Sequence, residues 1–89
     1  MSLRALHTLI AIAQYGSFVR AAEAVHLTQS AVSLHIKSLE ETFNATLFDR
    51  SRRLPVLTEA GHVAVERARE IVEGQKAGQG TEPENGGKA

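Results

Sequence analysis

A mainly α fold is predicted for this 89-residue chain by three features. Apolar residues recur at three- and four-residue spacing through four separate segments. The segments are divided by residues that start or close helices, at Gly16-Ser17, Leu27-Thr28, Asn44 and Thr58. Only residues 46–57 carry β-prone, extended character.

The first helical face is Leu3, Leu6, Ile10 and Ala13, with Leu9 beside it, and Gly16 closes it. Ser17 offers a cap oxygen to a short second helix with Phe18, Ala21, Ala22 and Val25 on its apolar face. His26-Leu27 ends that helix, and Thr28 caps a third, whose inner face is Val32, Ile36, Leu39 and Phe43. Asn44 tolerates the left-handed conformation that closes a helix. Thr46-Leu47-Phe48 and Leu54-Pro55-Val56-Leu57 are read as two strands around the polar turn 49–53. Pro55 has no N–H for a ladder, so its strand must be an edge, as in a two-stranded hairpin. Thr58 caps a fourth helix, with Glu59 at its positive end and Ala60, Ala64, Ala68 and Ile71 or Val72 on its apolar stripe, Val63 adjacent.

Residues 74–89 hold five of the seven glycines and one of the two prolines, with nothing to anchor a core. The expected organisation is a helical unit with a hairpin over 1–57, a fourth helix over 58–74 and a disordered Gly-rich tail over 75–89. A short helix, a tight turn and a longer helix with a polar outer face give helix-turn-helix geometry. Ala21 and Ala22 suit a close crossing of the two helices, and the hairpin supplies a wing. The predicted architecture is thus a winged helix-turn-helix followed by a long linker helix; on pattern alone, a small helical bundle with a spare hairpin would look similar.

Composition limits the function. Hydrophobic residues make up 43% and charged residues 22%, ordinary values for a globular chain. A domain this small leaves little room for an enclosed active site. The chain has no cysteine, so no disulfide frame or thiolate metal site exists. No apolar run approaches the roughly 20 residues that span a bilayer, and Met1-Ser2-Leu3-Arg4 is a poor signal-peptide start. A cytoplasmic protein with no membrane partner is expected. Net charge is zero, but residues 1–57 carry six basic against four acidic residues. Three arginines fall at Arg50, Arg52 and Arg53.

On the third helix, Gln29, Ser30, Ser33, Leu34 and Lys37 lie away from Val32, Ile36 and Leu39. Gln29, Ser33 and Lys37 form one line. A glutamine can pair bidentately with adenine, and small serines allow close approach to bases or phosphate. Lys37 lies further along, within reach of phosphate. Taken alone, such a row is more often a solvated helix face. Arginines at a wing tip suit a minor groove or a phosphate. Ser17 and Arg20 open the second helix, whose N-terminus can face phosphate.

These residues resemble the LysR-type transcriptional regulators. The resemblance rests on Gly16-Ser17-Phe18, Ala21-Ala22, Leu27-Thr28-Gln29-Ser30-Ala31-Val32-Ser33 and Ile36-Lys37-Ser38-Leu39-Glu40. It continues through Leu47-Phe48-Asp49-Arg50, Arg53 and Leu57-Thr58-Glu59-Ala60-Gly61. It implies sequence-specific binding of double-stranded operator DNA by a dimer on an imperfect inverted repeat. The third helix would enter the major groove and the wing would meet the minor groove. Ser17, Arg20, Thr28, Gln29, Ser30, Ser33, Leu34, Lys37, Arg50, Arg52 and Arg53 are the expected DNA contacts. A homodimer through Ala60, Val63, Ala64, Ala68, Ile71 and Val72 of the fourth helix is expected as well. Family members continue into a large effector domain, so an inducer site is not expected within these residues. The sequence departs from the family at Asn44, where glycine is usual, and at Pro55, where an aliphatic is common. It also departs at Leu34, where a polar or basic residue is frequent. An aliphatic there favours a thymine methyl.

Two other functional classes compete with this reading. A winged module that pairs with full-length regulators without reading DNA would keep the fold, but the Gln29, Ser33 and Arg53 set argues against it. For an enzyme, His7, His26, His35 and His62 are scattered, with no i,i+4 pair. No phosphate loop, nucleophile elbow or metal motif accompanies them. No cofactor and no metal are expected.

Overall fold

The computed structural model describes residues 2–51 and 53–80. In chain order the elements are α1 (Leu3–Tyr15), α2 (Phe18–Val25), α3 (Gln29–Phe43), β1 (Phe48–Asp49), β2 (Val56–Leu57) and α4 (Glu59–Gly80). The architecture is the expected winged helix-turn-helix followed by a long helix.

Helix ends are where the local sequence acts most directly. Ser2, Ser17 and Thr28 each accept a bond from the backbone N–H three residues on, at 3.1, 3.2 and 3.1 Å. Thr58 does the same for Gly61 at 2.9 Å. Each such cap is worth about 1 kcal/mol. α1 closes on Gly16 at φ 68°, and α3 closes on Asn44 at φ 53°. α2 closes on His26, also left-handed at φ 60°. Leu27 N–H donates back to the Ala22 carbonyl at 2.9 Å, and Ala45 N–H to Glu40 at 3.1 Å. These bonds occupy carbonyls that the last helical turn leaves open.

α1 is central and packs on α2, α3 and α4. Its buried residues are Ala5, Leu6, Thr8, Leu9, Ala11 and Ile12. They meet Ala21 and Ala22 of α2, Val32, Ile36 and Leu39 of α3, and Ala64, Val65 and Ala68 of α4. Leu47 and Phe48 complete the core. Each fully enclosed Leu or Ile contributes about 1.5–3 kcal/mol by leaving water. Leu3, expected on the inner face, is exposed at the first turn.

Three boundaries differ from the sequence reading. β1 begins at Phe48 rather than Thr46, because the preceding backbone is engaged elsewhere. Leu47 N–H donates to Glu40 Oε2 at 2.8 Å. The Leu47 carbonyl accepts from Thr58 N–H at 3.0 Å, and the Thr46 carbonyl accepts from the Thr58 hydroxyl. β2 is only Val56–Leu57: Pro55 has no N–H to give, and Leu54 is exposed. The pair is antiparallel, with Phe48 opposite Leu57 and Asp49 opposite Val56. Finally, α4 continues to Gly80 rather than ending at 74. Gln75, Lys76 and Ala77 are good helix formers, Gly74 and Gly78 each cost the helix about 1 kcal/mol relative to alanine, and the next proline is Pro83. The rest of the predicted tail, 81–89, lies outside the described residues.

Gly61 in the first turn of α4 is a close-approach position. A Cβ there would stand 2.1 Å from the Leu47 carbonyl oxygen and 2.8 Å from a Leu57 methyl. A hydrogen is the only side chain that lets α4 begin this close to the segment entering β1.

Candidate nucleic-acid interface

Three residues, His26 to Thr28, join α2 to α3, and the left-handed His26 makes the bend. The Ser17 and Thr28 hydroxyl oxygens serve as helix caps, and each hydroxyl proton stays available to a further acceptor.

The outward row of α3 is arranged as its spacing requires. Gln29, Ser30, Leu34 and Lys37 are exposed and Ser33 is half-buried, while Val32, Ile36 and Leu39 face the core. The five outward residues line one open groove with Glu40 and Arg50. Leu34 is 65% exposed, an aliphatic standing among amide, hydroxyl and ammonium groups. Glu40 was not among the expected site residues. Its carboxylate accepts from Leu47 N–H and so fixes the end of α3 to the segment entering the wing. Its i+3 spacing from Lys37 placed it on this face, but its partner follows only from the tertiary fold.

The wing is braced at its base. Asp49 Oδ1 accepts from Ser51 N–H at 2.9 Å and from the Ser51 hydroxyl at 2.6 Å, closing the start of the turn. The Arg50 guanidinium carbon lies over the Phe18 ring, 4.6 Å from its centre. Phe18 in turn meets Phe48 edge-on, with ring centres 5.6 Å apart and planes at 74°. Arg53 is exposed and lines a second hollow with Phe18, Arg50 and Pro55. Arg52, also expected at DNA, lies outside the described residues.

Arg20 is not gathered into this groove. It lines a separate hollow with Tyr15, Glu23 and Ala24. His35, on the same helix as the candidate contacts, is half-buried and points to α1. Its Nδ1 lies 2.9 Å from the hydroxyl of Thr8, which is 1% exposed and also donates to the Arg4 carbonyl at 3.0 Å. With the hydroxyl proton given to Arg4, the ring supplies Nδ1–H. This pair bridges α1 and α3. The sequence reading passed over Thr8, a hydroxyl set inside an apolar face.

The fourth helix divides the residues expected at a dimer contact. Ala64 and Ala68 are enclosed by the protomer's own core at 2% and 0% exposure, and Ala64 also lines the floor of the hollow beside Val63. Ala60 and Val72 are half-buried against that core. Val63, at 63%, and Ile71 stand exposed. Val63 borders an apolar hollow with Phe43, Ala45, Ala60 and Arg67. Among the described residues, no three His, Asp or Glu side chains come together as a metal set. None of the described helices is long and apolar enough to cross a membrane.

The family model for bacterial regulatory helix-turn-helix proteins of the lysR family matches residues 3–62. A probable RuBisCO transcriptional regulator of Cyanophora paradoxa is 53% identical over 62 residues, 70% of this chain. The chain spans 19% of that relative's length. The solved complex of CbnR_DBD with DNA superposes with a TM-score of 0.82 at 34% identity, covering 91% of this chain and 94% of that one. Vibrio fischeri DarR in complex with DNA gives a TM-score of 0.83 at 33% identity, covering 88% of this chain and 27% of that one.

Proposed function

The chain belongs to the LysR family of bacterial regulatory helix-turn-helix proteins, and we propose that it binds double-stranded DNA sequence-specifically for transcriptional regulation. In this reading α3 enters the major groove and the β1–β2 wing meets the adjoining minor groove. The observation that carries the reading is the shared groove, in which Gln29, Ser30, Ser33, Leu34 and Lys37 open on the same side as Arg50. The relatives CbnR_DBD and DarR, solved with DNA, support it.

Roles follow from the chemistry at each position. Gln29 has the amide that pairs with adenine N6 and N7. Ser30 and Ser33 allow close approach and donate to bases or phosphate. Leu34 packs on a thymine methyl, and Lys37 reaches phosphate. Ser17 and Thr28 stand at helix N-termini, where the positive dipole end favours phosphate. Arg53 reaches into the minor groove, with Arg52 beside it in sequence, and Arg20 meets phosphate at the rim.

Two copies pair through α4 and place their recognition helices on two half-sites of an imperfect inverted repeat. The contact uses the outer residues Val63 and Ile71, with Ala60 and Val72 at its margins. Selection from a random duplex pool, followed by a salt titration of the recovered sequence, tests the whole reading. Two symmetric half-sites are expected. With about eight phosphates touched per dimer, log affinity should fall with log salt at a slope of about −7. A slope near zero would exclude DNA as the ligand, and a single recovered half-site would exclude the paired arrangement.

A further inference from the structure

Arg50 is the one side chain among the described residues that lines both the groove along α3 and the hollow at the wing. That position has a geometric meaning if the proposed DNA reading holds, on which this inference rests. A helix in a major groove and a wing in the neighbouring minor groove straddle one sugar–phosphate strand. The strand must pass over the residue common to both surfaces.

An arginine on a flexible stem would reach that strand in many rotamers, and most would miss a given phosphate. Here the guanidinium is held over the Phe18 ring at 4.6 Å. Phe18 is itself set by the edge contact with Phe48, a core residue. A contact over the ring engages the charge of the guanidinium and leaves its N–H donors for an acceptor. The ring also stands immediately after the α2 cap Ser17, so it moves with the helix-turn-helix rather than with the wing tip.

We propose that Phe18 is a positioning residue that presents Arg50 to a phosphate of the strand lying between the two grooves. Phe18 acts through Arg50 and needs no contact with DNA of its own.

The test measures binding of the full chain to the selected duplex across a range of salt. Arg50→Ala should weaken binding about tenfold and reduce the salt slope by about 0.9 per protomer. Phe18→Leu should weaken binding about threefold in the parent chain and have no further effect in the Arg50→Ala background. Phe18→Tyr should behave like the parent, because the ring is kept. Replacing phosphates one at a time by neutral methylphosphonates should reveal one position in each half-site that weakens the parent and leaves Arg50→Ala unmoved. Should Phe18→Leu unfold below the assay temperature, a fluorinated phenylalanine at 18 keeps the ring and weakens its hold on a cation. Its loss should then appear only when Arg50 is present. An unchanged salt slope in Arg50→Ala, or equal losses from the Phe18 change in both backgrounds, overturns the proposal. A parent chain that binds no duplex counts instead against the DNA reading itself.

Discussion

Leu34 on α3 and Val63 on α4 are exposed to nearly the same extent, 65% and 63%, yet they stand on different ground. Leu34 is a single aliphatic among Gln29, Ser30, Ser33 and Lys37. Val63 stands beside a hollow lined by Phe43, Ala45 and Ala60. A lone apolar side chain on a polar face costs little in water and needs no partner. One that continues an apolar hollow offers area that a second surface can remove from water. Exposure alone therefore separates neither residue from the other; the neighbours do. On this contrast α3 is complete within the protomer, and α4 keeps apolar area that the proposed pairing would cover.

The largest test of that contrast is Val63→Glu. It should weaken self-association by about 3 kcal/mol, since a charge would be brought against an apolar surface, while helix content and melting temperature stay near the parent. Sedimentation across a concentration series reads the loss, and an unchanged dimer would remove α4 from the contact. Next is Gln29→Ala, expected to cost about 2 kcal/mol on the selected duplex and almost nothing on scrambled DNA. Equal losses on both would make Gln29 a positioning group rather than a reader. Leu34→Ala should cost about 1 kcal/mol, and only where a thymine is present. Substituting uracil for that thymine removes the methyl and should abolish the difference between the two proteins. The smallest effect is His26→Gly. Relief of the left-handed backbone, partly offset by the greater freedom of glycine in the unfolded chain, should raise stability by roughly 0.5 kcal/mol in thermal melts, with association and DNA binding both unmoved. A shift in either would mean that the turn itself touches DNA or the second copy.

Local chemistry made much of this legible. The caps at Ser17, Thr28 and Thr58 and the stops at Gly16 and Asn44 lie where residue type alone places them, because the bonds are made within a few residues. The division of α3 into core and outward rows follows from helical spacing. What sequence reading missed depends on partners far along the chain. Ala64 and Ala68 share a stripe with Ala60, and only the position of α1 decides that they face inward. β1 starts late because Glu40 and Thr58 capture the polar groups of residues 46 and 47. The Thr8–His35 bond spans 27 positions. The Arg50–Phe18 contact joins a wing to a helix start. The need for glycine at 61 is set by the Leu47 carbonyl, which no local pattern announces.

Leu47 ties three elements together. Its N–H is held by a carboxylate of α3, its carbonyl by the cap of α4, and its neighbour Phe48 opens the wing. Among the described residues, no slack element lies between the helix proposed to meet a twin and the helix proposed to meet DNA. In a pair joined along α4, the angle at which the two long helices cross is therefore handed on undamped to the reading heads. Like the jaws of a caliper pinned at the hinge, their separation is decided at the joint.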